Sequence, residues 1–250
     1  MSMRKMRRAG LCIAVLAAAV CSTATGQDKT KKDSKQQVVD SGSFGIFLNG
    51  KRVGTETFRI EQGTNASVAT AQLKIEDGAM KADQSSEMRV APNGNLLLYT
   101  WRSTIPLKEG SVVEPNDQLL IEHITYADQK KQDVPYVMPL TTVILDDNFF
   151  SQREILVWRY LAACVPQDNT LHCSAAQFGT LIPHQHASGT AAVELLGREK
   201  IMVKGVEKEL NKIKLTADDM QWVLWVADGD QQYKVIKMTV PAKQVEIVRD

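Results

Sequence analysis

From Gly42 onward the chain alternates apolar and polar residues with a period of two. Phe44, Ile46 and Leu48 fall on one face, and Asn49-Gly50 supplies the residues that a tight hairpin needs at positive φ. The partner strand runs from about Lys51 to Gln62, with Phe58 and Ile60 at alternate positions. Ala69, Ala71, Leu73 and Ile75 alternate up to the Asp77-Gly78 turn; Met88 and Val90 continue the pattern up to Pro92-Asn93-Gly94-Asn95. Leu97, Tyr99 and Trp101 are read as one strand face, with Leu96 and Leu98 on the other. Leu119 to Ala127 is a further strand. Short, regular spacing between turn signals predicts a meandering antiparallel sheet.

One segment departs from this period. Asp146-Asp147-Asn148 offers helix-capping oxygens and acidic charge, and residues 149–163 contain neither Gly nor Pro. Phe149, Leu156 and Tyr160 recur at helical intervals, as do Phe150, Val157 and Leu161, which predicts a helix that packs on the sheet. Strands resume at Phe178–Pro183, Thr190–Leu196, Lys200–Lys204 and Asn211–Thr216. They end with Met220–Ala227, the Asp228-Gly229 turn, Gln231–Val240, and a closing segment with Val245 and Ile247. Trp222, Leu224 and Val226 face one way and Val223 and Trp225 the other, so this hairpin is expected at the centre of the sheet, covered on both faces. The expected fold is mainly β: a large curved antiparallel sheet, half-barrel-like, wrapped around a central helix.

The N-terminus changes the picture from fold to destination. Arg4, Lys5, Arg7 and Arg8 precede the uncharged run Leu11–Val20, and a small-residue stretch ends at Gly26. This is the pattern of a secretory signal peptide spanning 1–26, with a run too short for a membrane span. Residues 27–41 are polar, with lysines at 29, 31 and 32, and read as a disordered tether; 42–250 then form a single β-rich domain. The expected location is the periplasm of a Gram-negative bacterium. Cys21 keeps open a lipid-anchored form, although Val20 is bulkier than lipoprotein processing favours. Removing residues 1–26 leaves 26 basic against 29 acidic side chains, a balance that does not suggest a nucleic-acid partner.

Two of the four cysteines fall in the leader, which leaves Cys164 and Cys173. Pro166 and Asp168-Asn169 let the chain fold back between them, so a disulfide is expected in an oxidising compartment. A Cys/His metal site with His172 is the alternative there, without zinc-site spacing; His184-Gln185-His186 is the most tempting metal motif, because alternate residues of a strand share a face. Pro183 and Gly189 bracket it and no third ligand is indicated, so no metal and no cofactor is assigned. The chain has no Gly-x-Ser-x-Gly elbow, HExxH motif, P-loop or dinucleotide glycine fingerprint. No catalytic residue is named.

Three stretches carry a resemblance. They are Phe44 to Phe58 with its Asn-Gly-Lys-Arg-Val-Gly-Thr-Glu core, Leu145 to Phe149, and the ending from Trp222 to Gly229 and on to Arg249. Together they resemble uncharacterised exported bacterial proteins, which are distantly similar to Lol-type periplasmic lipoprotein carriers. That resemblance implies a half-barrel with helices against its concave face and a shuttle for lipidated cargo. It supplies no catalytic residue. The function this supports is a non-catalytic envelope carrier for an apolar or lipid-like ligand, with Tyr99, Trp101, Phe149, Leu156 and Tyr160 as the candidate ligand-binding residues. Two alternatives stay open: a structural or interaction protein of the envelope with a self-filled core and a protein partner, and a hydrolase with an unrecognised site.

Overall fold

The computed structural model describes residues 36–250 apart from 147, 168, 169, 218, 230 and 231. The leader, most of the tether and the Asp168-Asn169 turn lie outside the described residues. Eight strands run first as consecutive hairpins: β1 (Gln37–Leu48), β2 (Lys51–Gln62), β3 (Ser67–Asp77), β4 (Met80–Val90), β5 (Leu96–Ile105), β6 (Glu109–Asn116), β7 (Leu119–Thr125) and β8 (Lys131–Tyr136). A short β9 (Val143–Ile144) precedes helix α1 (Ser151–Leu161). A small separate hairpin follows, β10 (Val165–Gln167) and β11 (Thr170–His172). The chain then finishes with β12 (Ala176–Ile182), β13 (Ala187–Val203), β14 (Val206–Ala217), β15 (Met220–Ala227), β16 (Lys234–Val240) and β17 (Val245–Arg249).

All but the small hairpin form one sheet in the order β8-β7-β6-β5-β4-β3-β2-β1-β17-β16-β15-β14-β13-β12-β9. The two arms meet where β1 pairs antiparallel with β17, so the last strand closes onto the first described one. Among the described residues only β9 on β12 is parallel, which makes the sheet mixed, and its end strands β8 and β9 do not pair, so it is open. Asn49 (φ 52°) and Gly50 (φ 78°) both take positive φ at the β1–β2 turn, as the type I′ geometry requires. Among the described residues no helix is long and apolar enough to cross a membrane.

Several boundaries differ from the sequence reading, each for a non-local reason. Strand β1 begins at Gln37, inside the segment read as a tether. There Asp40 is buried by an ion pair with Arg249 of β17, a partner at the other end of the chain. In β5 a register shift between Arg89 and Val90 turns Leu97 outward while Leu96 joins Tyr99 and Trp101 in the core. The segments read as Thr190–Leu196 and Lys200–Lys204 are one strand, β13, bent at the irregularity between Leu195 and Gly197. β15 and β16 do sit in the interior of the sheet. The outer side of β15 is covered by long polar side chains rather than by another layer. Trp225 donates from Nε1 to Glu199 (2.6 Å), and Lys212 and Lys237 lie 5.9 and 5.8 Å from its ring centroid.

The helix exists where expected, but Asp146 and Asn148 do not cap it, and Asp147 lies outside the described residues. Among the described residues no side chain of its own flank caps α1. The acceptor is Glu56 of β2, whose carboxylate takes hydrogen bonds from Phe150 N (2.7 Å), Ser151 N (3.2 Å) and Ser151 Oγ (2.6 Å). Helix side chains reach both arms of the sheet. Gln152 donates to the Tyr99 hydroxyl of β5, Tyr160 Oη accepts from Leu195 N of β13, and Arg249 of β17 meets Glu154 at 3.3 Å. Phe149, Leu156 and Tyr160 belong to the same apolar cluster as Phe44, Leu73 and Leu224.

Burial pushes the Glu56 carboxyl up to about 7, against the pull of its hydrogen bonds at the helix N-terminus and the charge of Arg153. The folded protein therefore binds a proton at Glu56 that the unfolded chain releases above about 4.5, and stability from this group falls as pH rises from there through 7. Glu56→Gln is expected to remove that slope. Relative to wild type it should gain roughly 3 kcal/mol between the two ends of the window, read by urea unfolding across pH. Parallel pH profiles for the two proteins would contradict this.

Candidate functional site

Asp146, expected to cap the helix, instead anchors a buried network. Its carboxylate accepts a hydrogen bond from the Tyr99 hydroxyl and one from His184 N (3.0 Å), and His184 Nδ1 lies 2.9 Å from the same oxygen. Asp146 N donates to Gln152 Oε1 (2.7 Å), Gln152 Nε2 donates to the Tyr99 hydroxyl (3.2 Å), and Arg153 donates to the Asp146 carbonyl (3.0 Å). Burial raises the Tyr99 phenol well above its ordinary range, and the adjacent Asp146 charge raises it further, so the hydroxyl stays a donor. Asn148 faces Gln84 through its amide (2.9 Å) and does not cap either.

A second cluster repeats the pattern. Glu122 of β7 is fully buried, accepts from the Tyr136 hydroxyl (2.9 Å) and sits 3.0 Å from His186 Nδ1. Both histidines come from one motif, but they do not share a strand face. Pro183–Gln185 is a single 3₁₀ turn and His186 follows at φ 53°, so the two rings go to different carboxylates. The strand-like geometry that made this a metal candidate is absent. Among the described residues no group of three or more His, Cys, Asp or Glu side chains is placed to hold a metal ion. The two Tyr–carboxylate–His sets are suited to fixing the turn and orienting the rings.

The third buried charge cluster joins the chain ends to the helix. Arg249 pairs with Asp40 and Glu154, and its guanidinium lies 5.4 Å from the Phe44 ring centroid and 5.0 Å from that of Phe58. Burial and the hydrogen bond with Asp40 raise the Glu154 carboxyl well above its usual range. Burial opposes ionisation at Asp40 too, yet the hydrogen bond with Glu154 and the charges of Arg249 and Lys234 hold it below the ordinary value. Glu154 therefore keeps the proton and Asp40 the charge.

Two cavities flank α1. One, of about 360 Å³, is walled by Leu145, Ile182, Leu215, Trp222 and Val240, with Arg153 also in its wall. Arg153 Nη1 donates to the Asp146 and Phe149 carbonyls, and its Cζ lies 4.1 Å from the Trp222 ring centroid. The other, of about 270 Å³, is lined by Met88, Leu96, Ile144, Ile155 and Leu156. Of the five candidate ligand-binding residues, Leu156 lines this second cavity. Trp101 borders a separate depression of about 330 Å³. Tyr99, Phe149 and Tyr160 are enclosed in the core, with both tyrosine hydroxyls bonded within the protein. Sequence reasoning missed Arg153, although a basic residue in the first turn of a helix, at the positive end of its dipole, is the signal that could have found it. The disulfide joins Cys164 and Cys173 across the β10–β11 hairpin, as expected.

Removing one donor from Asp146 differs from removing the acceptor. Tyr99→Phe is expected to cost about 1–3 kcal/mol, and Asp146→Ala about 3–5 kcal/mol, because it removes the acceptor that the Tyr99 hydroxyl and the His184 amide share. Equilibrium urea unfolding separates the two, and equal losses would contradict the network.

No family model matches the chain, and no curated protein matches its sequence. Among solved structures, it is similar to the crystal structure of a beta-barrel-like protein of the domain of unknown function DUF1849 from Brucella abortus, with a TM-score of 0.52 and 7% identity, covering 84% of this chain and 94% of that one. The likeness extends over most of both chains and shows a β-barrel-like fold.

Proposed function

We propose that this protein is a non-catalytic binding or carrier protein that holds one apolar or lipid-like ligand beside α1, with the sheet curled around the helix. The observation that carries this reading is the cavity of about 360 Å³ walled by Leu145, Ile182, Leu215, Trp222 and Val240. Its size falls in the range of small-molecule pockets, and apolar walls with a few polar groups are what such sites use. The curl is supported by the hydrogen bonds from α1 to both arms of the sheet and by the β-barrel-like neighbour. The candidate patch Tyr99, Trp101, Phe149, Leu156 and Tyr160 then serves chiefly as the inner wall that positions the helix, with Leu156 in reach of a ligand in the second cavity.

The working compartment in this reading is the bacterial envelope, outside the cytosol. The signal-type N-terminus and the Cys164–Cys173 disulfide support it. A second reading, an interaction protein with a self-filled core, draws on the complete burial of Tyr99 and Phe149. Binding of a fluorescent fatty acid distinguishes the two. Ala217 lines the same cavity and is only half-buried, so Ala217→Trp is expected to fill it without breaking the fold and to weaken binding by about tenfold or more. Undiminished binding in the folded variant would contradict the assignment of the ligand to this cavity, and no binding in wild type would favour the self-filled alternative.

A further inference from the structure

We propose that the cavity beside α1 takes an amphipathic anion, a carboxylate or similar monoanionic head on a short apolar body. This rests on the binding reading above and names the ligand class for that site.

Three features of the wall point to it. The first is a buried cation: Arg153 is 3% exposed, lines the cavity and is held in place by two main-chain carbonyls and the Trp222 ring. A guanidinium fixed in this way is preorganised for an acidic head group. The second is an orphaned hydroxyl. Thr180 is 1% exposed, its Oγ1 has no hydrogen-bond partner, and it lines the same cavity. A buried hydroxyl left without a partner carries a desolvation cost that an acceptor on a ligand would remove. The third is a second basic side chain, Lys243, in the same wall, where Asp219 is the carboxylate.

The volume limits the ligand. About 360 Å³ corresponds to roughly a dozen waters at ~30 Å³ each. That accommodates a head and a short chain, or the first part of a longer one.

The test is calorimetric titration of the full chain with octanoate and with octan-1-ol, which share a chain and differ in the charge of the head. Octanoate is expected to bind about tenfold tighter or more. Arg153→Met should bring octanoate down to the level of the alcohol and leave the alcohol unchanged. Equal affinities in wild type would overturn the anion assignment while the apolar site stands, and failure of both to bind would overturn the site as well. If circular dichroism shows that Arg153→Met does not fold, the Thr180→Val/Lys243→Met double variant carries the test. A several-fold loss for octanoate alone supports the proposal, and unchanged octanoate binding overturns it.

Discussion

A helix whose first turn is buried must find acceptors for its leading amides, and in this protein Glu56 provides them. The carboxylate comes from β2, 95 residues before Ser151 in the chain. Among the described residues the flank of α1 contributes no side-chain cap. Once that contact is made, the other helix positions follow at helical spacing. Gln152 meets Tyr99, Arg153 lies over Trp222, Glu154 meets Arg249, and Tyr160 meets β13. The Gly-Thr-Glu of the opening hairpin thus has a physical reason beyond the turn. Gly54 gives room where a side-chain carbon would come within 2.6 Å of the Lys74 carbonyl, and Glu56, two residues on, faces the helix.

The interior is unusually ionic for a β-sheet core, and its charges are arranged by one rule. Each fully buried carboxyl is bonded to at least one neutral donor or shares its proton: Glu56 with Ser151, Asp146 with Tyr99, Glu122 with Tyr136, Glu154 with Asp40. Such networks are costly when incomplete and rigid when complete. They tie the helix, the 183–186 turn and the two chain ends to particular strands. The cavity with Arg153 in its wall lies within this frame, where Thr180 Oγ1 is left without a partner.

Much of the sheet was legible because hairpins are local. Asn49-Gly50, Asp77-Gly78 and Gly94 all supply the positive φ that their turns require, and alternation then fixes the strand between them. β6 and β8 escaped notice because Glu109–Asn116 and Lys131–Tyr136 are too polar to alternate clearly; they are held by pairing with neighbours. The bulge that turns Leu97 outward leaves no mark in the apolar pattern. The helix was legible from Phe149, Leu156 and Tyr160, but its cap was not, because the acceptor is distant in sequence. For the same reason His184-Gln185-His186 read as one site rather than two: the carboxylates that separate the rings, Asp146 and Glu122, lie 38 and 64 residues away. Arg153 and Thr180 belong to different elements, so their shared cavity needed the tertiary structure.

The claim on which the functional account turns is that this fold encloses a ligand rather than only its own side chains. Native mass spectrometry of the protein purified from its own host tests it most directly. The account predicts a population heavier than the polypeptide by one small amphipathic acid, released on organic extraction. A bare polypeptide mass, unchanged after incubation with the host's total lipid extract, would contradict it.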